Sequence, residues 1–214
     1  MPDERLVATP HGEARVVVRR AKRPIATLVL THGAGGGIDA PDLLTLARTL
    51  PQQDISVTLV EMPWRVAGKK VAPRPAVLDE CYRAALDDMR MRTRLVIGGR
   101  SAGARSAARI ARSAGASGVL ALSFPLHPPG KPERSRLEEL QQARVRTLVI
   151  QGEKDPFGTP EEFPEDTNMV VVPAGDHSFK VAKSAPLSQE DALGVILEAT
   201  LEWIVRDIAG NRIR

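Results

Sequence analysis

The sequence predicts an α/β fold on one open, mostly parallel sheet, with helices on both faces and an antiparallel hairpin at the N-terminal end. Three observations lead there. Short apolar runs recur along the chain without strict alternation, as strands buried on both faces do. Between them lie segments whose apolar residues are spaced three and four apart. The strand–helix order repeats, and right-handed crossovers then distribute the helices over both faces. A chain of 214 residues, 43% hydrophobic, fits one such domain over 1–214.

The elements follow in order. "RLVAT" (5–9) and "ARVVVRR" (14–20), joined through Pro10-His11-Gly12, read as the hairpin. The buried strands are 26–31, 55–61, 94–98, 118–122, 146–152 and 168–173. Helices are expected over 41–50, where Pro41 suits a first turn, and over 76–89, 102–114, 135–143 and 188–209. "EMPWRVAGKKVAPRPA" (61–76) is the longest irregular stretch.

Composition narrows the function. The net charge of +4 comes from 30 basic and 26 acidic residues spread along the chain, so no arm for nucleic acid stands out. No run approaches the ~18 apolar residues of a membrane span, and the first residues lack the apolar core of a secretory signal. The expectation is a cytoplasmic protein without nucleic-acid or membrane partners. Cys81 is the single cysteine, so neither an intrachain disulfide nor a paired-thiolate zinc site can form. In its helical segment it reads as a small packed residue.

The chemistry starts at "LVIGGRSAGAR" (95–105), which holds G-x-S-x-G at Gly99, Ser101 and Gly103. A tight strand-to-helix turn lifts such a serine clear of the sheet, and glycines two residues away on either side avoid clashes. The motif arises by chance in about one chain in ten of this size, so its placement between a strand and a helix matters more than the letters.

A serine hydroxyl needs a base. Of the four histidines, His11 sits in the hairpin turn, His32 in the glycine loop after 26–31, and His127 in a proline-rich loop. His177, in "PAGDHSF" after the last strand, is placed to reach a serine at the carboxyl edge of the sheet. The base needs an acid to fix its tautomer. Asp155, in the turn "GEKDPFG" after strand 146–152, is preferred to Asp176, because adjacent side chains in a loop face each other poorly. "THGAGGG" (31–37) offers backbone N–H groups unobstructed by side chains, so the amides of Ala34 and Ala102 are the candidate oxyanion donors. A phosphate cradle fails on spacing: G-x-x-x-x-G-K-[ST] is absent, and Ile38 stands where G-x-G-x-x-G needs its last glycine.

These motifs resemble the α/β-hydrolase superfamily in its small, lidless form, similar to the dienelactone hydrolases. "FPLHPPGKPERSRLEEL" and "DPFG" add a narrower likeness, to the hydrolase-like group of the testis-expressed protein and subunit three of the NSL histone-acetyltransferase complex. The resemblance implies eight strands and a nucleophile–acid–histidine triad at Ser101, Asp155 and His177, in the chain order of that superfamily. Dienelactone hydrolases carry a cysteine nucleophile, and this chain carries serine. The relatives include a complex subunit, so a non-catalytic interaction module on the same fold is the alternative to an enzyme.

With only "SFPLHPPGKPERS" after strand 118–122, there is no room for a cap domain, and the site is expected to be open and shallow. Trp64, Phe124 and Phe157 are candidates to line it. His127 is expected on a rigid rim, with substrate contact as a lesser possibility. Arg100 is either an attractor for an anionic substrate or, preferentially, half of an ion pair with Glu61 or Asp176. The expected substrate is a small acyl compound, cleaved with no metal and no organic cofactor.

Overall fold

The computed structural model of the chain describes residues 3–210. Among these residues eight strands form one sheet: β1 (Asp3–Thr9), β2 (Gly12–Arg19), β3 (Ala26–Thr31), β4 (Ile55–Glu61), β5 (Arg94–Arg100), β6 (Gly118–Leu122), β7 (Arg146–Gly152) and β8 (Met169–Val172). Their spatial order is β1-β2-β4-β3-β5-β6-β7-β8. β1 pairs antiparallel with β2, and β2 with β4; every other pair is parallel. The hairpin closes through Pro10 and His11, with Gly12 at φ 114°, a conformation that favours glycine.

Both faces of the sheet are covered, which is why its strands do not alternate. Along β3, Leu28 and Leu30 enter one core while Val29 enters the other. On β6, Leu120 and Leu122 face one way, Val119 and Ala121 the other. Helices α1 (Pro41–Thr49) and α6 (Gln189–Trp203) cover the first face. Helices α3 (Pro75–Asp87) and α4 (Ala102–Ile110) cover the second. Each fully buried Leu or Val in these layers contributes about 1.5–3 kcal/mol.

The element ends differ from the expectation for local reasons. α3 starts at Pro75, whose missing N–H costs nothing in a first turn. α4 is regular only to Ile110; the chain continues through a looser turn, with Ala114 N–H donating to Ile110 O, and closes at Gly115, φ 66°, where Ala116 N–H donates to Ala111 and Gly115 N–H to Arg112, the double bond of a glycine C-cap. In the stretch expected to be irregular, Pro63–Val66 form a short helix, α2. α5 is confined to Leu137–Gln141. The last helix widens into a π turn over Ile204–Ile208. Residues 123–136, between β6 and α5, hold only a single helical turn, Pro132–Arg134, so no cap covers the carboxyl edge.

Candidate active site

Ser101 follows β5 directly and precedes α4. Its backbone, at φ 53° and ψ −111°, lies in a region that L-residues rarely adopt, and its N–H donates to Leu122 at 2.9 Å. The close neighbours explain the flanking glycines. A Cβ on Gly99 would lie 2.5 Å from the Thr31 carbonyl oxygen. One on Gly103 would lie 2.8 Å from the His32 carbonyl oxygen. β3 and the start of α4 are therefore in backbone contact beneath the serine.

His177 comes from the turn after β8. Its Nε2 is 2.9 Å from Ser101 Oγ and its Nδ1 is 2.8 Å from Asp155 Oδ2. With Nδ1 protonated, the ring donates to the carboxylate and accepts from the hydroxyl. Asp155 is fully buried, and its other oxygen accepts from Phe157 N–H at 2.8 Å. The Gln151 amide also donates to Asp155 Oδ2, at 2.9 Å, and to Gly158 O at 2.8 Å. Phe157 stacks on the imidazole, ring centroids 4.1 Å apart. The loops that carry the acid and the histidine are laced together: Lys154 N–H donates to Gly175 O, and a Cβ on Gly152 would meet that oxygen at 2.5 Å. Asp176 is occupied in building its own turn, accepting from the N–H groups of Ser178 and Lys180.

The glycine loop after β3 passes beside the serine. A Cβ on Gly33 would lie 3.4 Å from Ser101 Cβ and 4.0 Å from its Oγ. His32 fixes this loop. Its Nε2 accepts from Met62 N–H at 3.0 Å, so its Nδ1 carries the proton and donates to Gly33 O at 2.8 Å. Burial lowers its pKa and keeps the ring neutral. Because the peptide is planar and trans, anchoring the Gly33 carbonyl turns the Ala34 N–H to the opposite side. Among the described residues neither Ala34 N–H nor Ala102 N–H has an acceptor, the latter as a first-turn amide of α4.

With that geometry in place, comparison with known proteins identifies the frame. Residues 24–205 match the family described as an alpha/beta hydrolase domain. The chain belongs to the alpha/beta hydrolase family. Similar solved structures include an α/β serine hydrolase without lid from Xanthomonas campestris, with TM-score 0.74, 17% identity and 94% of each chain covered. An α/β serine hydrolase homologue from Coxiella burnetii has TM-score 0.71 and 17% identity, covering 96% of this chain and 97% of that one. A dienelactone hydrolase from Anabaena variabilis has TM-score 0.70 and 18% identity, covering 96% and 98%. At these identities the likeness is one of fold: a lidless hydrolase sheet with its N-terminal hairpin.

Several residues expected to line the site are engaged otherwise. Phe124 is fully buried in the core on the α3–α4 face and lines no open pocket. His127 is also buried, with Nδ1 bonded to Pro128 O and Nε2 to Glu162, so its ring nitrogens are both engaged within the fold. Trp64 lies edge-on to His32, centroids 5.1 Å apart, and is nearly buried. Its exposed edge borders a cavity of about 780 Å³ beside the hairpin turn, whose lining does not include Ser101, Asp155 or His177. Arg100 pairs with neither Glu61 nor Asp176. Glu61 is held by Arg15, and Arg100 faces the buried carboxylate of Asp42 at 3.7 Å while donating to His177 O at 2.8 Å.

Two residues of the site were not singled out from the sequence. Gln151 carried a signal: a glutamine inside the apolar run "RTLVIQG" is a buried polar group that must find partners. Asp42 carried little, because an acid in a helix's first turn is ordinary at any surface.

Proposed function

We propose that this chain is a serine hydrolase that cleaves a small ester, thioester or related acyl bond. The observation that carries the reading is the continuous line from Ser101 Oγ through both ring nitrogens of His177 to the buried Asp155. Ser101 Oγ attacks the acyl carbon while His177 Nε2 takes its proton. Asp155 keeps the other ring nitrogen protonated and stabilises the imidazolium. His177 then delivers the proton to the departing alcohol or thiol. Water, deprotonated by the same nitrogen, attacks the acyl-enzyme, and the acid leaves as Ser101 recovers its proton.

The amides of Ala34 and Ala102 are the donors to the oxyanion in this scheme; one such donor is worth about 100- to 1000-fold in rate. No step calls for a metal or an organic cofactor. The serine at the elbow separates this chemistry from that of a cysteine-dependent dienelactone hydrolase. Cys81, buried on α3 with its pKa raised by that burial, is no substitute nucleophile.

Labelling by a fluorophosphonate probe tests the reading. Wild type should label at one site, and Ser101→Ala and His177→Ala should abolish labelling, with Asp155→Asn slowing it by at least about 1000-fold. Folded wild type that does not label would overturn the proposal.

A further inference from the structure

We propose that Arg100 is a positioning residue: anchored on the buried carboxylate of Asp42, it holds the backbone of His177 so that the imidazole stays on Ser101. This rests on the reading of Ser101, Asp155 and His177 given above. Arg100 is the last residue of β5 and the immediate neighbour of Ser101. Its Nη2 donates to His177 O at 2.8 Å, so one side chain joins the strand of the nucleophile to the turn of the base.

His177 needs such a tether. It occupies a short turn, closed by Phe179 N–H to Asp176 O, with Phe179 at φ 53°. Asp155 fixes Nδ1 and Phe157 fixes the plane of the ring. Both act on the imidazole, and neither fixes the peptide that carries it. Asp176 and Gly175 shape the turn on either side, and Arg100 adds the point on the His177 carbonyl itself.

Asp42 explains why Arg100 is held there and not released to substrate. Its side chain is 1% exposed, and neither carboxylate oxygen has a hydrogen-bond partner among the described residues. A buried carboxylate without a cation is costly, and its ion-pair partner is the Arg100 Nε edge at 3.7 Å. Asp42 lies in the first turn of α1, so its charge also meets the favourable end of that helix. The guanidinium therefore donates to His177 O on one side and meets Asp42 by charge alone on the other, its Nε having no hydrogen-bond partner among the described residues, with 15% of the side chain exposed. It is placed as a brace inside the molecule, which is a different task from attracting an anion.

The test uses saturation kinetics of fluorophosphonate labelling, which reads Ser101 without a known substrate. Arg100→Met removes the donors and keeps the stem; Asp42→Asn removes the anchor's charge. In both, kinact should fall, by about 10- to 100-fold for Arg100→Met, while KI stays within about threefold. Unchanged kinact in both variants would overturn the inference. So would a rise in KI at constant kinact, the signature of a residue that touches the ligand. If Arg100→Met gives no cooperative melt, Asp42→Asn decides by the same criterion. Absent labelling of wild type, or labelling that survives Ser101→Ala, sinks the hydrolase reading itself. Loss in Ser101→Ala with no effect in the other two sinks only the brace.

Discussion

Gly103 and Gly35 separate two uses of glycine around the serine. A Cβ on Gly103 would press on Thr31 Cγ2 and the His32 carbonyl oxygen, both 2.8 Å away, and neither can yield without moving β3. A Cβ on Gly35 would meet nothing within 4 Å. Gly103→Ala should therefore cost about 1–3 kcal/mol as an overpacked contact, lowering Tm by roughly 2–10 °C, and should slow labelling of Ser101 as α4 is pushed off its strand. Gly35→Ala should melt within about 1 °C of wild type; paired melting curves check both. The spacing of Gly99, Ser101 and Gly103 could be read as a strained turn because that turn is local. Gly99 must clear Gly103 within the motif, which the spacing reflects; but both glycines must also clear Thr31, and Gly103 His32, about 70 residues earlier in the chain, and no spacing rule reaches those. The same holds for His32. It could be read as part of a glycine loop, but its neutral tautomer and its grip on Gly33 depend on Met62, from the end of another strand.

The strands were legible as elements because a face-to-face buried strand has only apolar choices, and the two cores take alternate residues of each run. The connections were less legible. His127 stands in a proline-rich loop and reads as a rim residue, yet its partner Glu162 lies 35 positions on, in the helical turn Pro160–Glu162. The two loops are tied further by His127 N–H to Phe157 O, and by Gly158, where a Cβ would strike Leu126 at 2.6 Å. This tether makes stability depend on pH. The Pro128 carbonyl, and then Glu162, hold the His127 pKa above its ordinary 6.5. Thr159 N–H, and then His127, hold Glu162 below its ordinary 4.5. The histidine's contribution is complete below pH 6.5 and is lost as pH rises through its folded value; the glutamate's is present above pH 4.5 and is lost as pH falls through its own. The tether should then be strongest between those limits. The Tm gap between wild type and His127→Gln should be larger at about pH 5.5 than at about pH 9. An equal gap at both would show that the ring acts by packing alone.

At the scale of the whole molecule, the carboxyl edge of the sheet carries the candidate site with no cap above it, since residues 123–136 hold a single helical turn and tie Leu126 and His127 to the acid loop. Ser101 is half-buried and Ala34 is exposed, so an acyl group bound there keeps much of its surface in water. Chain length should therefore matter little. If each added methylene were fully buried it would contribute about 0.8 kcal/mol, and four of them, from butanoyl to octanoyl, would raise kcat/KM by roughly 200-fold. On this open edge the rise should stay below about tenfold. Aryl esters of graded acyl length, measured under kcat/KM conditions, decide the matter. A steep rise would mean that the chain has found enclosure, and the cavity of about 780 Å³ lined by Pro63, Trp64, Val66, Val71 and Val77 is the apolar space that could supply it. Trp64→Ala would then flatten the dependence. A shallow rise leaves that cavity outside the reaction, and places selectivity in the reactivity of the acyl bond and the fit of its carbonyl between Ala34 and Ala102.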